Sequence, residues 1–191
     1  RIQIYFITIP AHKFLHIKNY ESNGYWDFWQ KQNQIPGQDH ETICGLLDSI
    51  KGKLDDRGGS EINCRSGQIM AYINDPKGRL CDWGFLRTEC WGVRLPSNYK
   101  GEVPPQMFLI DIPEAEYIVF EHGPFQYEQE NCSVEQKIET AMANFDYAAA
   151  NCCLDTSPGR IMYFYYNPEQ YFKYIRPIQN LKENVSTSNE T

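Results

Sequence analysis

The feature that most constrains this chain is an internal echo. Ile9-Pro10-Ala11-His12-Lys13-Phe14-Leu15-His16-Ile17 and Ile112-Pro113-Glu114-Ala115-Glu116-Tyr117-Ile118-Val119-Phe120 both enter a β-rich run through Ile-Pro, 103 positions apart. Proline inside a sheet is confined to strand starts and edges, so each Ile-Pro marks a strand entry. Ile69-Met70-Ala71-Tyr72-Ile73-Asn74-Asp75-Pro76 is answered 92 positions later by Ile161-Met162-Tyr163-Phe164-Tyr165-Tyr166-Asn167-Pro168. A weaker pair is Val93-Arg94-Leu95-Pro96 and Ile175-Arg176-Pro177-Ile178. Three echoes in the same order predict one module written twice.

The elements follow from periodicity. Strands are expected over 2–9 and 12–18, from Gln68 to Ile73, from Thr88 to Leu95, from Gln106 to Ile112, from Ala115 to His122, from Arg160 to Tyr166 and from Tyr171 to Ile178. Asn74 to Gly78 reads as a turn. Tyr25 to Gln32 reads as a short aromatic helix. A second helix, capped by Asp39 or His40, runs to Leu54 with Ile43, Leu46, Leu47, Ile50 and Leu54 on one side. Ser133-x-x-Gln136 has the form of a capping box opening a third helix to about Ala149. Each half reads strand, helix, strand, strand. The expected fold is α+β: a duplicated strand-helix-strand-strand module forming one antiparallel sheet, with helices on one face and a central cleft. Residues 1–180 make one domain of pseudo-repeats, about 1–100 and 101–180, and 181–191 a flexible polar tail.

Charge and cysteine content narrow the function classes. A net charge of −7 argues against a nucleic-acid backbone as partner of this segment. The seven cysteines are scattered, with no Cys-x-x-Cys and no paired His spacing. Reduced thiols in a cytoplasmic protein are expected, with no metal site and no cofactor. Asp55-Asp56 in its glycine-rich loop reads as a solvated pair. No run of residues approaches a membrane span. The chain begins at Arg1 rather than Met, which reads as a piece of something longer or a processed chain.

Thirteen Tyr, ten Phe and four Trp are many for 191 residues, and Tyr and Trp need partners for their polar tips. This excess points to a pocket as well as a core. On the strand from Thr88, Glu89, Trp91 and Val93 share one face. A carboxylate beside an indole suits a ligand site if that face turns inward; if it turns outward, Glu89 is simply wet. Trp26 serves equally as core anchor or pocket wall, and His122 before Gly123-Pro124 reads as a turn histidine.

The ordered marks Ile9-Pro10-Ala11, Asn74-Asp75-Pro76, Glu89-Cys90-Trp91-Gly92-Val93, Ile112-Pro113, His122-Gly123-Pro124-Phe125 and Tyr163 to Pro168 closing with Arg176-Pro177-Ile178 resemble the GyrI-like effector-binding domain. They cover the chain from 5 to 178. That domain is the ligand-sensing part of many AraC-type and MerR-type bacterial transcription regulators and also occurs alone; the aromatic helix with Ile43 to Leu54 is most similar to the AraC-type form. The resemblance implies a small-molecule effector, lipophilic and often cationic, held by aromatic walls around a carboxylate. Glu89 and Trp91 take that role, with Tyr72, Tyr163, Tyr165, Trp26 and Phe120 as candidate walls. It implies DNA contact only through a separate N-terminal domain, no membrane, and a homodimer among the arrangements open to it. One departure stands out: many members carry a Glu four residues before the final proline, where this chain has Lys173, which would oppose a cation. Two other readings stay open. Some stand-alone relatives hydrolyse reactive cyclopropane-bearing cytotoxins, with a pocket Glu, here Glu89, as general base. Others bind a topoisomerase.

Overall fold

A computed structural model of the chain describes residues 1–20, 27, 42–55, 67–81, 85–167 and 171–181. The aromatic helix expected over 25–32, including Trp26, lies outside the described residues apart from helical Asp27. The described elements are β1 (Ile2–Ile9), β2 (His12–Asn19), α1 (Ile43–Ser49), β3 (Gln68–Leu80), β4 (Leu86–Pro96), β5 (Phe108–Ile112), β6 (Ala115–His122), α2 (Tyr127–Asn144), β7 (Cys152–Leu154), β8 (Ile161–Asn167) and β9 (Tyr171–Asn180).

Eight strands form one antiparallel sheet in the order β1-β6-β9-β8-β3-β4-β2-β5, and the short β7 pairs with β9. This order reads the same from either end once the halves are exchanged. β1 answers β5, β6 answers β2, β9 answers β4, and the pseudo-twofold falls between β8 and β3. The first strand of each half pairs with the other half: β1 with β6, and β5 with β2. The two Ile-Pro phrases are the two-residue links β1–β2 and β5–β6. Each link joins opposite ends of the sheet order, so the sheet must curl back on itself. The inner surface confirms this, because one buried cluster draws on all eight strands: Ile9, Phe14, Ala71, Cys90, Ile112, Val119, Tyr163 and Ile175 among others.

Both described helices pack on the outer surface. Ile43 and Leu47 of α1 cover Leu15, Ile17, Trp91, Val93 and Leu95. Val134 and Ile138 of α2 cover Ile118, Phe120, Phe164 and Phe172. Where β2 meets β4 the backbones approach closely: a Cβ on Gly92 would overlap the Leu15 carbonyl oxygen and lie 2.7 Å from His16 Cβ. Gly92→Ala is therefore expected to cost about 1–3 kcal/mol, the scale of an overpacked core, read as a lower urea midpoint.

Several local expectations are corrected. α1 ends at Ser49, not Leu54, because the chain turns at Gly52 with φ +83. The Lys53 ammonium donates to the Leu47, Asp48 and Ile50 carbonyls at the helix end. Thr42 is its cap, accepting from Gly45 N at 3.0 Å; Asp39 and His40 lie outside the described residues. α2 begins six residues before Ser133, so the apparent capping box sits mid-helix. Glu128 and Glu130 in the first turn mark the true start, and Glu130 accepts from Gln126 N at 2.7 Å. Asp55 is not solvated: it is fully buried against Arg94. No described helix is long and apolar enough to cross a membrane.

Candidate functional site

The expected turn at Asn74–Gly78 is instead an irregularity inside β3, and it builds one end of a site. The ladder to β4 breaks between Asn74 and Arg79, and both face Arg87. Four residues bulge out, and the strand then resumes. Gly78 permits this, since a Cβ there would lie 2.6 Å from Leu86 O and 2.7 Å from Arg87 O. Asn74 anchors the bulge. Its amide donates to the Thr156 and Ser157 carbonyls, and its Oδ1 accepts from Leu86 N at 2.8 Å. Asp75 accepts from the Tyr20 hydroxyl at 2.9 Å and from Lys77 N at 3.0 Å.

The bulge sets two arginines opposite each other, a repulsive pair unless a counter-charge lies between them. That counter-charge is Glu89. Its Oε1 is reached by Arg79 Nη2 and by Arg87 Nε, the latter at 3.3 Å. The Glu89 side chain is 0% exposed, while Arg79 and Arg87 are about one third exposed at 33% and 32%. Glu89 Oε2 is buried, with no hydrogen-bond partner among the described residues. Burial raises the Glu89 pKa against the opposing pull of the two guanidiniums. Arg87 also lies over the Tyr72 ring, 4.9 Å from its centroid.

From Glu89 a row of side chains crosses the sheet on the helix side. Tyr72 pairs with Glu89 on β4 and with Met162 on β8. Arg176 stands at the far end on β9, three strand spacings, roughly 14 Å, from Glu89. Over this row lies a cleft of about 810 Å³. Its floor is Tyr72, Met162, Tyr174 and Arg176; α2 supplies Glu139, Met142 and Ala143 as a wall; Arg79, Leu80 and Arg87 close one end, and Tyr147 and Leu154 the other. The cleft is centred on the β3–β8 junction, where the two halves meet. The Tyr72 and Tyr174 hydroxyls engage each other, and burial raises both pKa values. Arg176 donates to the Tyr147 hydroxyl at 2.9 Å.

Of the residues singled out from sequence, Tyr72 lines the cleft, and its cross-strand partner Glu89 lies buried beside it, outside the lining. Trp91 shares their face but is covered by α1. Phe120 also faces the helices, packed edge-on against Phe145 at 5.8 Å. Tyr163 and Tyr165 point to the inner surface, where the Tyr163 hydroxyl meets His12 Nε2 at 2.6 Å. Strand parity separates them: Tyr72 and Met162 are cross-strand partners, so the odd-numbered tyrosines of β8 turn away. Lys173 is inward for the same reason. It pairs with Glu121 at 3.4 Å, and Glu121 accepts from Tyr5 at 2.5 Å. It cannot act on the cleft as expected. Arg79, Arg87, Tyr174 and Arg176 were missed. The signal available for Arg87 was its parity with Glu89; Arg79 needed the bulge.

No family model matches the chain, and no curated protein matches it. Solved structures do. SAV2435 bound to tetraphenylphosphonium aligns with a TM-score of 0.58 at 13% identity, over 96% of this chain and 98% of its own. The EcmrR C-terminal domain aligns with a TM-score of 0.50 at 9% identity, over 94% and 98%. The chain has a GyrI-like fold. A hydrolase from Listeria innocua aligns at 12% identity with a TM-score of 0.48, over 93% and 92%. The cleft of this chain lies on the outer, helix-covered surface at the pseudo-twofold.

Proposed function

We propose that this chain is a small-molecule-binding domain that serves a bacterial transcription regulator as its ligand sensor. The observation that carries the reading is the 810 Å³ cleft, apolar and aromatic along its floor and bounded by charged groups at its ends. Such a lining is typical of sites for drug-sized ligands. The fold shared with SAV2435, which was solved with a lipophilic ligand, and with the C-terminal domain of EcmrR supports it. DNA would be contacted by a separate domain, in keeping with the net charge of −7. A ligand seated between α2 and the floor would favour one spacing of helix and sheet over another, and that shift is what an attached domain would sense.

The test is a thermal-shift screen of lipophilic aromatic compounds bearing positive, neutral and negative groups, with tetraphenylphosphonium among them. A compound at a hundred times its dissociation constant stabilises by about 2.7 kcal/mol. Ala143→Trp, a substitution at an exposed position on the α2 wall, fills the cleft and is expected to abolish the shift. A screen without hits, or hits that persist in Ala143→Trp, would remove this reading. A second reading has one observation in its favour: Glu89, with a raised pKa and an Oε2 that has no hydrogen-bond partner among the described residues, has the character of a general base. Arg79 and Arg87 stand in its way. Consumption of a bound compound, lost in Glu89→Gln, would favour hydrolysis.

A further inference from the structure

The two edges of the sheet are built differently. β5 is five residues long and carries Asp111, tied to Lys13 at 2.6 Å, with Pro113 directly after it. A short strand, a charge and a proline are devices that keep an edge from pairing with another chain. β1, at the other end, has none of them. Ile2-Gln3-Ile4-Tyr5-Phe6-Ile7-Thr8-Ile9 is eight residues without a charge or a proline. Its register with β6 runs unbroken from Ile2 to Ile9, so no bulge twists this edge away. Among the described residues, β6 is its sole strand neighbour. Its helix-side row is apolar as well: Ile4 is 40% exposed and Phe6 49%, with the Phe6 and Phe145 rings edge-on at 6.4 Å.

We infer that β1 is an interface between two copies of this chain, paired antiparallel, edge to edge, across a twofold axis. The strand is complementary to itself. With Tyr5 opposite Tyr5 of the second copy, every even residue meets an even one, so the helix-covered faces of both sheets stay on one side. Ile4 then lies opposite Phe6 of the second copy, twice by symmetry, and Ile2 opposite Thr8. A β-branched side chain directly opposite an aromatic one is a stabilising cross-strand pair. Charge favours the same register. Arg1 of one copy comes opposite Ile9 of the other, where β6 sets Ala115 against Ile9 and Glu116 against Thr8. Arg1, Glu114 and Glu116 are all exposed. Each end of the seam thus brings a guanidinium toward two carboxylates, and the uncharged strand between them adds no repulsion to two copies of net charge −7. The seam lies three strands away from β8, so it stands whatever the cleft binds.

The test is sedimentation velocity of this chain at rising concentration, up to about 1 mM, the weak end of specific association. A reversible monomer–dimer equilibrium is expected. Ile4→Lys should weaken the dimer by about tenfold, since each dimer carries the change twice and loses an apolar cross-strand pair each time. Phe108→Lys, at an apolar position on the β5 edge that is 48% exposed, should leave the dimer unchanged. Hydrogen exchange on the wild type reads the seam without a variant: β1 amides should gain protection as concentration rises, and β5 amides should not. A chain that stays monomeric throughout overturns the second copy as the occupant of this edge. A dimer that tolerates Ile4→Lys, or one whose β1 amides gain no protection, has its interface elsewhere and overturns the inference as well.

Discussion

Arg94→Met should cost about 3–5 kcal/mol of folding stability, the usual consequence of removing one partner of a buried ion pair. Arg94 is 2% exposed and Asp55 0%, and Arg94 Nη1 lies 3.3 and 3.5 Å from the two Asp55 carboxylate oxygens. The pair ties the segment after α1 to the inner face of β4, and the Arg94 carbonyl accepts from Leu54 N at 3.0 Å. Taking the guanidinium away leaves a carboxylate in the protein interior without its counter-charge, and water cannot reach it to compensate. Urea denaturation should show a much lower midpoint at an unchanged slope. The double variant Arg94→Met with Asp55→Leu should recover most of the loss, because neither charge then remains to be solvated. A single-variant cost below about 1 kcal/mol would mean that the buried pair is poorly coupled, as surface pairs are.

Acid should destabilise the fold through His16. This histidine is 1% exposed on the inner face of β2, stacked on Phe14 at 4.8 Å and facing Phe108 at 5.9 Å. Burial pushes its pKa down from 6.5 to about 4, with Lys18 adding to the effect and the Phe14 carbonyl opposing it. A depressed folded-state pKa means that the unfolded chain takes up the proton first. The contribution is therefore fully present above pH 6.5 and is lost as the pH falls toward 4. Over that window the loss is about 3 kcal/mol. The buried Glu89 works in the opposite sense: its raised pKa makes its burial less costly as acid protonates it. The clean readout is thus the difference between wild type and His16→Phe, which keeps the aromatic stack. The variant should lose the excess acid sensitivity between pH 6.5 and 4; equal slopes for the two proteins would place the titrating group elsewhere.

Much of the fold could be read from the chain because strands and repeats are written locally. The two Ile-Pro phrases mark the links that bend the sheet, and parity put Glu89, Trp91 and Val93 on a common face. Hydrophobic spacing likewise placed Ile43 and Leu47 on the core side of their helix. The helix limits were less legible. Ser133 and Gln136 have the residue types of a cap, but a capping box is only a local option, and packing on β6, β8 and β9 carries α2 past it.

The site divided along the same line. That Glu89, Trp91 and Val93 share one face, and that Tyr163 and Tyr165 share another, follows from the two-residue period of a strand and belongs to the sequence alone. Which face becomes the cleft depends on which strands are neighbours, and that is set by the exchange of β1 and β5 between the halves. This pairing puts Tyr72 between Glu89 and Met162 and turns Tyr163, Tyr165 and Lys173 inward. The charge of the cleft depends on still less local matters. Arg79 reaches Glu89 only because the β3 bulge, held by Asn74 against the Thr156 and Ser157 carbonyls 82 and 83 residues away, brings the strand back opposite Arg87. A sequence specifies short-range periodicity by itself; the partner of a buried charge is chosen by three-dimensional closure.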